Sequence, residues 1–241
     1  MLVVPAVLAL TALLAISGCR APQAAPAPAP ALGLFTSLPI LWDEAASATD
    51  LLRGDAPPHW ARTVLDRHGT LRPLDTLAEL DGVTLLIMAQ PRPLSPQENV
   101  ALDRWVRGGG RVLLFADPML TSHSAYGLGD RRRPQDVVLL SPILARWGLD
   151  LQFDDDQPAG ARQAALLGVT VPVDLPGRFA LAPGARGCRL EAAGLAARCR
   201  IGRGQVLALA DAALLDAADP AGDQARAAAL DRLLEALATG S

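Results

Sequence analysis

Asp117, Ser122, His123 and Ser124 bring a carboxylate, two hydroxyls and an imidazole within eight residues of one another. Those types could form a hydrolase, with a hydroxyl nucleophile, a base and an orienting carboxylate. Neighbours in sequence rarely take up that geometry, and Asp117-Pro118 also reads as an ordinary turn. Asp117 and Asp211 each follow an apolar run with the character of a strand. Open α/β sheets bind ligands beyond the carboxyl ends of their strands. Asp117, His123 and Asp211 are therefore the candidate ligand contacts, with capping and loop hydrogen bonding as the plain alternative.

Other polar groupings carry less chemistry. Gly108, Gly109 and Gly110 follow a helix and precede a strand, the reverse of the order that cradles a phosphate. Arg131, Arg132 and Arg133 lie between Asp130 and Asp136 and read as a solvated loop, with an anion clamp as the alternative. Asp154, Asp155 and Asp156 lack the spacing of a calcium loop. His59, His68 and His123 are scattered, and no i,i+4 pair exists among them. No metal site and no cofactor is expected.

Cys188 and Cys199 are more informative. A hairpin over residues 187–201 with its tip at Ala193-Gly194 sets Cys188 opposite Cys199. Facing Cα atoms suit a disulfide in an oxidising compartment. The alternative is a facing pair of reduced thiols.

The elements that must hold these residues are legible around LSPQENVALDRWVRGGGRVLLFADP (94–118). Ser95 with Glu98 forms a capping box, and Pro96 occupies the first helical position. Leu102, Trp105 and Val106 share one helical face, and Asp103 with Arg107 makes an i,i+4 pair. The three glycines end the helix in left-handed backbone, and an apolar strand over 112–116 follows. Elsewhere strands are expected within 34–42, over 71–74, over 83–89 (VTLLIMA), over 149–153, over 166–173 and over 205–210. Helices are expected after Pro57-Pro58, at Ser141-Pro142 and from Asp219-Pro220, with a short helix or a turn-rich segment over 43–53. The last helix carries Leu230, Leu233, Leu234 and Leu237 on one stripe. The alternation implies a mostly parallel sheet with flanking helices, closed by a late β-hairpin.

Composition sets the outer bounds. The chain has 241 residues and is 51% hydrophobic, enough for one sizeable core. Every one of its 22 basic residues is arginine, and the net charge of −3 excludes a broad nucleic-acid surface.

Residues 2–16 form one apolar run, short for a bilayer span of about 20 residues. The run leads into Ile16-Ser17-Gly18-Cys19, which resembles a bacterial lipoprotein signal with its lipobox. The resemblance implies a signal peptide over 1–18, acylation of Cys19 and membrane anchoring through that lipid. An ordinary secretory signal or a weak membrane helix is the alternative. Arg20 after the cysteine favours the outer over the inner membrane by analogy with known sorting. Residues 19–31 are Pro/Ala-rich, a semi-rigid spacer of roughly 35–40 Å at about 3.1 Å per residue. A single α/β domain is expected over 32–241.

Two stretches, 94–118 and GRGQVLALADAALL (202–215), resemble the auxiliary, substrate-binding-like component of gliding-motility-type ABC transport systems and related extracytoplasmic domains. The resemblance implies a flavodoxin-like, class I glutamine amidotransferase-like fold. An enzyme of that kind needs a nucleophile on a strained elbow. The elbow expected after residue 89 reads Gln90-Pro91-Arg92-Pro93, without Cys, Ser or Thr. The expectation is therefore a non-catalytic, periplasm-facing accessory that binds or scaffolds an envelope system. An ABC transporter is the favoured partner, and no nucleic acid is. A hydrolase acting through the Asp117–Ser124 loop and a small-ligand sensor are the alternatives.

Overall fold

Apolar runs bounded by glycine, proline and capping residues place the strands and helices of this chain. The computed structural model describes residues 31–41, 44, 58–216 and 220–239. Cys19, the signal, the spacer up to residue 30 and nearly all of the short helix or turn-rich segment expected over 43–53 lie outside the described residues.

Seven strands form the main sheet: β1 (Ala31–Thr36), β2 (Thr70–Pro73), β3 (Val83–Ala89), β4 (Arg111–Phe115), β9 (Cys188–Glu191), β10 (Ala196–Ile201) and β11 (Gly204–Leu209). Their order is β2-β1-β3-β4-β11-β10-β9. β2, β1, β3, β4 and β11 pair in parallel. β10 runs antiparallel to both β11 and β9. Two small antiparallel pairs complete the strands: β5 (Leu149–Gln152) with β8 (Arg178–Leu181), and β6 (Arg162–Leu166) with β7 (Val169–Val173).

Both faces of the sheet are covered, so the central strands are apolar on both sides. Leu34, Ile87, Leu113, Phe115, Leu207 and Leu209 face one core. Helices α1 (Trp60–His68) and α4 (Pro220–Thr239) cover it, together with the β6–β7 hairpin. Phe35, Leu86, Met88, Val112, Leu114 and Val206 alternate to the other core, under α2 (Pro96–Arg107) and α3 (Ser141–Trp147). The leucine stripe expected on the last helix is buried at Leu230, Leu233, Leu234 and Leu237. No helix among the described residues is long and apolar enough to cross a membrane.

Charged staples lock the helices in pairs. Asp231 of α4 accepts from Arg67 at 2.6 Å and contacts His68 Nε2 at 2.8 Å. Asp103 of α2 is buried and receives Arg107, Arg146 at 2.5 Å and the Trp147 indole at 3.2 Å. The capping box of α2 forms as expected, and Glu98 does more than cap. It accepts from Arg92 at 2.7 Å and from the Leu77 amide at 3.1 Å. The Arg92 guanidinium holds the Glu98 carboxyl well below the usual carboxylate range.

Several boundaries differ from the sequence reading. The first strand, expected within 34–42, lies earlier: it begins inside the Pro/Ala-rich stretch, at Ala31, and ends at Thr36, ahead of Pro39. Residues 166–173 are two strand segments joined at Leu167-Gly168, both with positive φ. A two-residue hairpin turn wants small or Asn/Asp residues there, so leucine hid it. β8 was not expected. Of the three glycines, only Gly109 takes positive φ. Gly110 is required by packing instead: a Cβ there would meet the Trp105 ring at 2.3 Å.

Cys188 and Cys199 are joined by a disulfide, in the register that the hairpin spacing predicts. The closed loop is short, with a sequence separation of 11. Chain-entropy reasoning gives about 2–3 kcal/mol for such a loop. Replacing both cysteines by serine should lower stability by that amount in denaturant titration, and reductant should mimic it on the unmodified chain. Identical midpoints with and without reductant would remove the bond from the stability of the fold.

Candidate functional site

The residues just beyond the ends of β1, β3, β4 and β11 gather at the carboxyl edge of the sheet. They are Ser37, Gln90, Asp117 and Asp211. Strand ends leave backbone groups without a ladder partner, and in an apolar surrounding each needs one. Short polar side chains meet that need here.

Gln90 follows the apolar run of β3 and has φ 44, a left-handed conformation rare for a residue with a side chain. Its side chain is fully buried. The amide nitrogen donates to the Asp117 carbonyl at 3.0 Å and the Gln135 carbonyl at 2.7 Å. Its oxygen accepts from the Asp117 amide at 2.9 Å. Ser37 Oγ donates to the Gln90 carbonyl at 2.5 Å and accepts from the Gln135 amide at 3.0 Å. The crevice between β1 and β3, where the strand order reverses, is thus bridged by Ser37, Gln90 and Gln135.

The two candidate aspartates lie deeper than the sequence suggests. Asp117 accepts from the Met119 amide at 2.8 Å and the Ala212 amide at 3.1 Å. Asp211 accepts from the Ala213 amide at 2.6 Å and the Asp174 amide at 2.9 Å. Each therefore closes its own turn and also ties down a distant segment. Burial pushes the Asp117 carboxyl up to about 6, against the two amides that favour its charged form. Burial, and then the charge of Asp117, pushes Asp211 up to about 8. Asp216 is raised as well, again by burial.

The 120–134 loop does not assemble a triad. Ser122 Oγ donates to Asp216 Oδ1, and Ser124 Oγ donates to Glu44 at 2.7 Å. His123 is exposed. Among the described residues no hydrogen bond joins His123 to Asp117 or to either serine. Arg132 pairs with Asp130 and lies over the Tyr126 ring, while Arg133 pairs with Asp136 and the Tyr126 carbonyl. These arginines hold the loop together. His59 caps α1 by accepting from the Ala61 amide. No group of three or more metal-ligating side chains occurs among the described residues.

Sequence reasoning singled out Asp117 and Asp211 but passed over Gln90 as a site residue, and over Asp216 altogether. The available signal for Gln90 was a lone polar residue closing a fully apolar strand. Asp216 has no such signal, because its partner Ser122 is 94 residues away.

A family model described as "Domain of unknown function (DUF4350)" matches residues 57–234. No curated protein sequence matches the chain. Solved structures share the fold at low identity. The exo-beta-1,4-mannosidase Op5Man5 from Opitutaceae bacterium strain TAV5 has a TM-score of 0.53 and 14% identity, over 88% of this chain and 36% of that one. The mmIFT52 N-terminal domain has a TM-score of 0.52 and 12% identity, over 85% of this chain and 95% of that one. A catalytic mutant of Gan42B, a GH42 beta-galactosidase from G. stearothermophilus, has a TM-score of 0.51 and 15% identity, over 88% of this chain and 30% of that one. The chain thus spans about a third of the glycosidases and nearly all of the IFT52 domain.

The raised carboxyls make stability depend on pH with a definite sign. Unfolded aspartate titrates at about 3.9, so between about 4 and 8 the folded state holds more protons than the unfolded state. That contribution is therefore largest at low pH and falls as pH rises through 6 and then 8. Melting temperature should drop between pH 5 and pH 8.5, where Glu98 is ionised throughout. Asp211→Asn sacrifices one backbone bond, because its NH2 faces an amide donor, yet it should remove most of that drop, since Asp211 stays protonated to the higher pH of the two. A slope unchanged by the substitution would contradict the assignment.

Proposed function

We propose that this chain, which belongs to the DUF4350 family, is a lipid-anchored, periplasm-facing accessory of an envelope system that binds or scaffolds without catalysing. The observation that carries the non-catalytic reading is Gln90. It has the strained backbone of a nucleophile elbow, at the end of a central parallel strand, but its side chain is buried and committed to three hydrogen bonds. The flavodoxin-like, amidotransferase-like description is supported by the parallel order β2-β1-β3-β4-β11, which follows the 2-1-3-4-5 pattern of that fold. An ABC transporter is the favoured partner, on the resemblance carried by 94–118 and 202–215. The lipobox ending at Cys19 supplies the anchor, and a disulfide suits an oxidising compartment.

A hydrolase is the rival reading, and the raised Asp117 and Asp211 carboxyls speak for it. Against it, the two are 1% and 3% exposed, and both oxygens of each accept from backbone amides. Their position suits a structural role, with the raised pKa as its consequence.

Two measurements test the proposal. Cys19→Ser should abolish incorporation of labelled palmitate and leave an unprocessed precursor; normal processing and release from the membrane would defeat the anchor. In-cell crosslinking should capture an envelope protein equally with the unmodified chain and with His123→Ala. Loss of an envelope phenotype in His123→Ala, with capture and folding intact, would hand the case to the hydrolase.

A further inference from the structure

The far edge of the main sheet concentrates positive charge. In the β9–β10 pair Arg189 stands opposite Arg198, and Cys188 opposite Cys199. Arg200 follows Arg198 by two residues, so it leaves the same face of the strand, and it stands opposite Gln205. With Arg186 and Gly187 ahead of β9, these residues line a cleft of about 320 Å³. β11 begins beside this cleft and ends before Asp211, so the cleft and the carboxyl edge lie at opposite ends of one strand.

Nothing in the fold accounts for this cluster. Like charges directly opposite each other on a sheet repel. The chain as a whole is net negative, so the cluster is not the overflow of a basic protein. Glu191 pairs with Arg189 at 2.9 Å, but among the described residues no carboxylate pairs with Arg186, Arg198 or Arg200. The Arg198 Nε is buried and has no hydrogen-bond acceptor. Buried donors are nearly always satisfied, and leaving one unmet is costly. Burial, and then the charge of Arg189, lowers the Arg198 pKa from its usual value. The cleft thus holds a half-buried cation with one unmet donor and no carboxylate pair, a charge that an anion would balance.

We propose that this cleft binds a compact phosphate-bearing anion. Planar guanidinium forks match pairs of phosphate oxygens. Side chains on one face of a strand repeat at roughly 6.6–7 Å, and facing residues lie about 5 Å apart. That spacing surrounds one or two linked phosphoryl groups from several sides, and a cleft of about 320 Å³ suits a ligand of that size. The disulfide forms part of the wall and pins β9 to β10, holding Arg189 and Arg198 in place before the ligand arrives. Affinity should therefore depend on the oxidised pair, because preorganisation lowers the ordering cost of binding. This inference stands apart from the accessory role proposed above.

The test is calorimetric titration into the full chain, held in detergent at low salt. The probes are sodium pyrophosphate, glycerophosphoglycerol (the deacylated headgroup of an anionic lipid) and a hexaglutamate peptide. A phosphate probe should saturate, and added salt should weaken it. Arg198→Gln and Arg200→Gln should each weaken it by about tenfold or more. Arg62→Gln, which removes an exposed partner of Asp66 on α1, should leave it unchanged. Reductant should weaken binding to the unmodified chain. Preference for pyrophosphate identifies a soluble diphosphate as the source, and preference for glycerophosphoglycerol a lipid headgroup; either supports the site. Arg200 is exposed, so its variant stays informative even if Arg198→Gln fails to fold. No saturable heat with either phosphate probe, equal affinity in Arg200→Gln, or a preference for hexaglutamate over both would overturn it.

Discussion

Where the parallel strands stop, the backbone loses its ladder, and three buried side chains take over its hydrogen bonding. Gln90 serves the Asp117 amide and carbonyl and the Gln135 carbonyl. Asp117 serves the Ala212 amide, and Asp211 the Asp174 amide. Through these contacts the long loop after β4, the turn after β11 and the β6–β7 hairpin are all tied to the sheet. An unmet buried amide is costly, so each of these side chains has little freedom to do anything else.

That commitment shapes what the edge can do. A strained turn after a central strand is a good place to present a nucleophile, but here it presents an amide turned inward. Two aspartates at strand ends are a good place to meet a ligand, but here they meet backbone. Their raised carboxyls follow first from burial and then from neighbouring carboxylates, Asp216 and Asp174 beside Asp117 and Asp117 beside Asp211, without any need for a substrate. Polar residues at the usual ligand-binding edge of an α/β sheet have been used to close it.

The opposite end of β11 has the reverse character. Its polar groups are long, cationic and incompletely matched, and they sit on the antiparallel extension β10–β9, outside the parallel strands. The disulfide makes that extension rigid across a short loop. The sheet therefore has one edge whose strand-end carboxylates and amide are committed to backbone, and another whose cationic groups are incompletely matched.

Much of the fold was legible because its causes are local. Ser95 and Glu98 cap their helix three residues apart. The run over Val83–Ala89 is apolar because both faces of its strand are covered. The spacing of Cys188 and Cys199 about one tip determines that they face each other. The tertiary structure alone decided what lies far apart in the chain. It gave Gln90 its partners at Asp117 and Gln135, placed Asp103 under Arg146 and Trp147, turned Asp211 toward Asp174, and left the Arg198 Nε buried without an acceptor. The physical reason is that a period or a cap is a property of neighbours, whereas the partner of a buried polar group is whichever segment the packed sheet brings within about 3 Å of it.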